Sequence, residues 1–557
     1  MKKSILSILL ISALLITINA CTDLTEETFS TVTAENFFQT EQQFISALGD
    51  AYNQMATPIG GHNNIFSINE VSTDEMLIAQ KGADWFDGGV WLTMHRHTFQ
   101  SDNQPINNAW NFAFGGVNAC NRLIFQFEDL RDSGNANEEL ANQFIAELSV
   151  LRAFYYYLLL DNFGNVPIVT SFEIEGSPAN NTDFQAGRTE VFNFIEQEIL
   201  DNIDLISDEV GQATYGRVNK FVAHMILAKL YLNAEVYTGE SMWEEAVEQT
   251  DAIINSNNYS LAGNYGDNFA TQNSNSPEFI FAIPFDQVFL TGHNTAQMTL
   301  LGPSQQTFDL QDQPWNGYAT MEDFYNSYED EDIRKEENFI TGLQRDLEGN
   351  VLLDPQATEL DPDGPPLNYT PSINSLNPNS LRQAGARVGK YDFEVGATPN
   401  LNNDKPIFRY ADVLLMKAEA LFRQNPGDPV ALSLVNQIRN RAGLAGYSNL
   451  TEQRLLDERG REFFFEMLRR QDLIRFNGGL HFVRNDDGSF GEQYPAGETA
   501  FNDGWLFKTT ADDNGDGVIN EEDGIDASES FRNVFPIPRP QLDANPNLNQ
   551  NPGYTAQ

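Results

Sequence analysis

Three stretches of this 557-residue chain place reactive or ligand-binding residue types at spacings that imply chemistry. The first runs from Asp512 to Asp523. Side-chain oxygens fall at loop positions one, three and five (Asp512, Asn514, Asp516). Gly517 permits the sharp turn at six, Val518 offers its carbonyl at seven, and Asp523 closes the loop at twelve. A hard cation such as Ca²⁺ needs six or more oxygens around one point, and this spacing supplies them. Asp at position twelve replaces the commoner Glu, as in dockerin-type loops. Flanking helices are not evident, so the expectation is a structural Ca²⁺ clip.

The second and third stretches are aromatic. Trp85 stands among Asp84, Phe86, Asp87, Gly88 and Gly89, and Trp315 between Pro314 and Asn316-Gly317-Tyr318, neither in helical register. An indole on a loop ringed by Asp and Asn suits a sugar. The C–H face of the ring stacks on the aromatic, and carboxylate or amide oxygens accept its hydroxyls. The same tryptophans could equally pin their own loops to the core. Trp91, Trp110 and Trp243 read as packed.

Other constellations carry less. Glu458, Glu462 and Glu466 repeat every four residues with Arg459, Arg461, Arg469 and Arg470 interleaved, which reads as helical salt bridges before a carboxylate metal site. His95 and His97 would share one strand face, a weak zinc signal in a chain with six histidines. No Gly-x-Ser-x-Gly elbow, P-loop or dinucleotide fingerprint occurs. Glycosidase carboxylate pairs are not legible among 80 acidic residues.

The elements that must hold these groups are largely helical. Met1-Lys2-Lys3 followed by the apolar run Ile5–Ile18 reads as a secretory signal, too short for a mature membrane span. Ile18-Asn19-Ala20-Cys21 resembles the lipobox of bacterial lipoproteins. Residues 1–20 are therefore expected to be removed, with Cys21 as lipid anchor and 21–32 as an acidic tether. Phe44, Leu48, Ala51 and Tyr52 recur at helical spacing after a near capping box at Thr33–Asn36. A long helix is predicted over 138–161, with Tyr155-Tyr156-Tyr157 as packing residues. Helix pairs are predicted over 215–256 and 408–441, both with the large–small alternation of tetratricopeptide units. From 258 to 404 the chain turns rich in Asn, Asp, Gly, Pro and Gln, and reads as a loop-rich insertion. Residues 405–557 return to helices, then the Ca²⁺-type loop and an extended tail.

Composition excludes some partners. The net charge is −47, with no basic stripe to displace counterions, which argues against nucleic acid. Only two cysteines occur, Cys21 and Cys120, so no disulfide framework is expected.

Taken together, the motifs resemble the SusD/RagB family of nutrient-binding outer-membrane lipoproteins of Bacteroidetes. They run in order from Cys21-Thr22-Asp23-Leu24 and Thr33–Thr40 through Arg152-Ala153-Phe154-Tyr155-Tyr156, Phe163-Gly164-Asn165-Val166-Pro167 and Gly216-Arg217-Val218-Asn219-Lys220. They continue with Phe408-Arg409-Tyr410-Ala411-Asp412, Arg469-Arg470-Gln471-Asp472 and the terminal Pro536-Ile537-Pro538 and Asn545–Tyr554 segments. The resemblance implies a mainly α fold from residue 33 on: four tetratricopeptide-like helix pairs as scaffold, and a loop-rich irregular part carrying the ligand. It also implies a non-catalytic surface lipoprotein that captures oligosaccharide and delivers it to a SusC-like TonB-dependent transporter. Trp85 is then expected to stack on sugar, Asp74 and Arg387 to bond hydroxyls, and Tyr391 and Trp315 to contribute. Peptide capture by a related member, a surface glycoside hydrolase and a pure assembly scaffold follow as alternatives, in that order.

Overall fold

Short polar side chains mark where most of the long helices begin. Asn103, Asn137, Asp183, Asn219, Asp428 and Thr451 each accept a hydrogen bond from a backbone N–H of the first helical turn, which satisfies donors that have no partner inside the helix. The helices that follow are Gln104–Asp132, Glu138–Phe163, Phe184–Asn202, Lys220–Leu232, Pro429–Arg441 and Glu452–Phe463. The computed structural model describes residues 38–173, 176–356, 366–374, 376, 380–477, 483–484, 490–491 and 530–555. Residues 1–20, expected as a signal peptide, Cys21, the expected tether over 21–32 and the whole of the 512–523 stretch lie outside the described residues. The capping box falls at Thr40 and Gln43, at the head of Glu41–Asn53; Thr33–Asn36 also lies outside the described residues.

The helices pack as consecutive pairs. Gln104–Asp132 lies on Glu138–Phe163, which in turn meets Phe184–Asn202. Lys220–Leu232 packs on Trp243–Ser256, Trp243–Ser256 on Tyr410–Gln424, and Tyr410–Gln424 on Pro429–Arg441. This is the tetratricopeptide-like scaffold expected from the helix-pair patterning. Close approach in the first pair depends on Gly116, where a β-carbon would stand 2.2 Å from Cζ of Tyr155. The three consecutive tyrosines are buried, and Tyr155 donates its hydroxyl to the Ala51 carbonyl at 2.6 Å, so they pack.

Glu458, Glu462 and Glu466 are ion-paired, but mostly across the fold. Arg334 reaches Glu458 and Glu462, Arg409 reaches Glu278, Glu462 and Glu466, and Arg439 reaches Glu458. Among the described residues, only the Arg461–Glu458 pair of these glutamates lies along one helix. Every one of these glutamates is buried. The charges are tolerated because each carboxylate meets cations and hydrogen-bond donors.

Between 258 and 404 the chain forms short helices such as Thr295–Thr299 and antiparallel pairs of very short strands. Phe279–Ile283 pairs with Lys405–Arg409, anchoring this region to the scaffold. Met76–Leu77 pairs with Ala319–Thr320, in the register Met76 to Thr320 and Leu77 to Ala319. In that antiparallel register the chain after Leu77 and the chain before Ala319 leave from the same end of the ladder. The Trp85 and Trp315 loops therefore emerge side by side.

Candidate functional site

The 311–318 loop is held by backbone hydrogen bonds to the Thr295–Thr299 helix and its exit. Trp315 N donates to the Gln297 carbonyl at 2.8 Å, Asn316 N to Leu300 at 2.9 Å and Tyr318 N to Met298 at 2.8 Å. Asn316 takes a left-handed backbone (φ 57°), a conformation its short amide tolerates. Its buried side chain donates to Asp84 Oδ2 at 2.8 Å and to the Arg382 carbonyl at 3.0 Å, and accepts from Arg387 Nη2 at 2.9 Å. Lys81 lies underneath, its Nζ donating to the Gly317 carbonyl at 2.9 Å. Burial pushes the Lys81 ammonium well below its usual range.

On this base the two predicted tryptophans meet. Trp85 N donates to the Trp315 carbonyl at 3.2 Å, and the indoles stand edge to face with centroids 5.8 Å apart. His62, which the sequence reading passed over, packs edge-on against both, at 4.9 Å from Trp85 and 5.0 Å from Trp315. All three rings are half-buried and keep area open to solvent. Asp87 orients the cluster: its Oδ2 accepts from Trp85 Nε1 at 2.5 Å and from the buried Trp91 Nε1 at 3.0 Å. Burial lowers the His62 pKa against the opposing pull of Asp87, so the ring is neutral at neutral pH.

One cleft adjoins the cluster through His62, and a second is joined to the Trp85 loop through Arg382 and Asp84. One, of ≈ 610 Å³, includes His62, Asn63, Asp87, Gln100 and Asp102. The other, of ≈ 530 Å³, includes Gln306, Gln313, Asp354 and Arg382. Arg382 Nη1 donates to Asp84 and its Nε to Asp354, each at 2.6 Å, tying the second cleft to the tryptophan loop. Half-open indole faces beside carboxylates and carboxamides can stack on sugar rings and exchange hydrogen bonds with hydroxyls.

Three expected ligand residues do not face these clefts. Asp74 is buried in a bidentate pair with Arg469, at 2.7 Å on both oxygens, and so has no hydroxyl to serve. Arg387 is fully buried; it donates to the carbonyls of Ala384, Gly385 and Arg382 and to Asn316, with its guanidinium 4.5 Å from the Tyr369 ring. Desolvation brings its pKa down to about 10. It supports the Trp315 loop from below. Tyr391 is buried between His293 and Phe269, at 4.7 and 5.4 Å. In sequence these residues are polar groups near aromatics; the fold turns them inward.

His95 and His97 form no metal pair. His95 closes a short helix, not a strand, and the two imidazoles are buried against the carbonyls of Val71 and Ser72. Among the described residues no cluster of His, Cys, Asp and Glu is arranged to hold a metal ion. No helix in that set is long and apolar enough to cross a membrane.

Comparison with known proteins bears on this arrangement. A family model described as "SusD family" matches residues 277–554, and one described as "Starch-binding associating with outer membrane" matches 39–232. Starch-binding protein SusD of Bacteroides thetaiotaomicron is 26% identical over 92% of this chain and 90% of its own. A SusD superfamily structure from Parabacteroides distasonis superposes with a TM-score of 0.70 at 22% identity, covering 92% of this chain and 99% of that one. Surface glycan-binding protein A of B. thetaiotaomicron, solved with laminarihexaose, superposes at 0.62 with 20% identity, over 92% and 99%. At that identity the solved structures speak for the fold.

Proposed function

The chain belongs to the SusD family, and on that premise we propose that it is a non-catalytic glycan-binding protein of the outer membrane. Oligosaccharide is captured on the surface made by Trp85, Trp315 and His62. It then passes intact to a SusC-like TonB-dependent transporter. The observation that carries this reading is the meeting of Trp85 and Trp315, from loops 230 positions apart in a chain of 557, against His62, which with Asp87 lines a polar cleft. Asp87 occupies the indole N–H, which leaves ring area for C–H stacking. The lipobox-like Ile18-Asn19-Ala20-Cys21 supports attachment through a lipid on Cys21, with the protein displayed on the cell surface. The Asp512–Asp523 sequence supports one structural Ca²⁺ outside this surface chemistry.

Calorimetric titration of the mature chain against soluble glycans of several linkage classes and a peptide pool tests the reading. Saturable heat with a glycan is expected, lost in Trp85→Ala, with the glycan recovered uncut. Heat with peptides alone would transfer the protein to the peptide-capturing branch of the family. Shortened glycan after incubation would make it a hydrolase.

A further inference from the structure

We infer that the ligand of the Trp85–Trp315 surface is an uncharged glycan, and that polysaccharides carrying uronate or sulfate are refused there. The inference rests on the glycan-capture reading above and concerns the charge of the walls.

The two clefts contribute four carboxylates among their described lining residues: Asp87 and Asp102 in one, Asp346 and Asp354 in the other. One lining cation stands against them, Arg382, and it is already committed. Its Nε is bonded to Asp354 and its Nη1 to Asp84. Arg345, next to Asp346, turns its Nη1 to the Gly349 carbonyl across a tight turn at 2.8 Å. Lys81 and Arg387 lie buried beneath the tryptophan loop, where Lys81 Nζ and both terminal nitrogens of Arg387 bond backbone carbonyls and Asn316, and the loop shields them from solvent. His62 is neutral near pH 7, because burial lowers its pKa.

A carboxylate or sulfate entering such a site gives up its hydration without meeting a cation. It also approaches the four lining carboxylates, on a chain whose net charge is −47. An uncharged sugar pays neither cost. Its hydroxyls donate to the acids, and the carboxamides of Asn63, Gln100, Gln306 and Gln313 can both give and accept. The lining is thus built for neutral hydrogen bonding and stacking, with electrostatics acting as the filter.

The test is titration of the mature chain and of Trp85→Ala with two panels. One contains neutral polysaccharides (glucans, mannans, xylans, arabinans), the other anionic ones (polygalacturonate, alginate, carrageenan), each at about 50 and about 500 mM NaCl. The expected result is Trp85-dependent binding confined to the neutral panel. Its affinity should change less than about twofold between the two salt concentrations, since few charges are neutralised in the complex. Trp85-dependent binding of an anionic glycan, within about tenfold of any neutral one, overturns the charge inference and leaves glycan capture standing. Absence of binding in both panels overturns the capture reading and this inference with it.

Discussion

A β-carbon placed on Gly317 would stand 2.0 Å from Cε3 of Trp85, so the indole lies directly on the glycine's backbone. The backbone of Gly317 is not left-handed, and alanine fits it without torsional strain. Gly317→Ala therefore acts by sterics alone, pushing Trp85 off its seat and away from Trp315. Glycan affinity should fall about tenfold or more, on the order of the 1–2 kcal/mol that an aromatic face contributes. Titration calorimetry measures the loss, and an unchanged far-ultraviolet circular dichroism spectrum shows that the scaffold stands. Unaltered affinity would remove Trp85 from the contact.

Asp87 joins two indoles through one oxygen. Asp87→Ala frees Trp85 and strands the buried Trp91 N–H, whereas Asp87→Asn keeps an acceptor in place. The alanine variant should bind glycan several-fold more weakly than the asparagine variant, with tryptophan fluorescence shifted in the alanine form alone. Equal losses in the two would mean that the charge of Asp87, not its positioning of Trp85, matters to the ligand.

Asp74 and Arg469 form a buried bidentate pair that fastens the Arg469–Asn477 helix to the segment following the Ile65–Val71 helix. Removing one partner leaves the other charge buried and unpaired, which costs about 3–5 kcal/mol. Asp74→Ala and Arg469→Ala should each lower the urea midpoint by a comparable amount, and the double variant by less than their sum. Additive losses would show that the two side chains act separately.

His95 and His293 are buried and neutral, with pKa values lowered by burial to about 4 and about 3. In the unfolded chain both titrate near 6.5. Their contribution to stability is fully present above pH 6.5. It is lost as the pH falls towards 4 and then 3, because the unfolded state takes up protons that the folded state refuses. His95 alone accounts for roughly 3 kcal/mol across that window. Thermal melts of the wild type should steepen their decline below pH 6.5, and His95→Gln should flatten it. An unchanged pH profile in the variant would refute the assignment.

The Asp512–Asp523 spacing predicts one bound Ca²⁺ per chain. Equilibrium dialysis of the mature chain should find one site, absent when Asp512 and Asp516 are both changed to Ala. Chelation should lower the melting temperature of the wild type and leave that variant unmoved. Ca²⁺ uptake by the double variant would place the ion elsewhere.

Local features of this chain were open to reading along the sequence, because the interactions that set them are local. The 3.6-residue periodicity of Phe44, Leu48 and Ala51 and of Phe144, Leu148 and Leu151 follows from side chains sharing a helix face. The Asn425–Asp428 turn stops one helix and caps the next with Asp428, within a few residues. The loop composition around Trp85 and Trp315 likewise marked aromatics outside helical register. Tertiary structure decided which of these groups meet. The pairing of Leu77 with Ala319 brings the two tryptophans to one edge, and its free energy lies in contacts that no window of sequence contains. His62 joins them from a segment held by another distant contact, the bond from Asn294 N to the carbonyl of Gly60, two residues before it. Asp74, Arg387 and Tyr391 carry the same side chains whether they face a ligand or the core. Burial against Arg469, Asn316 and His293 settled the matter, and burial is a property of the folded whole.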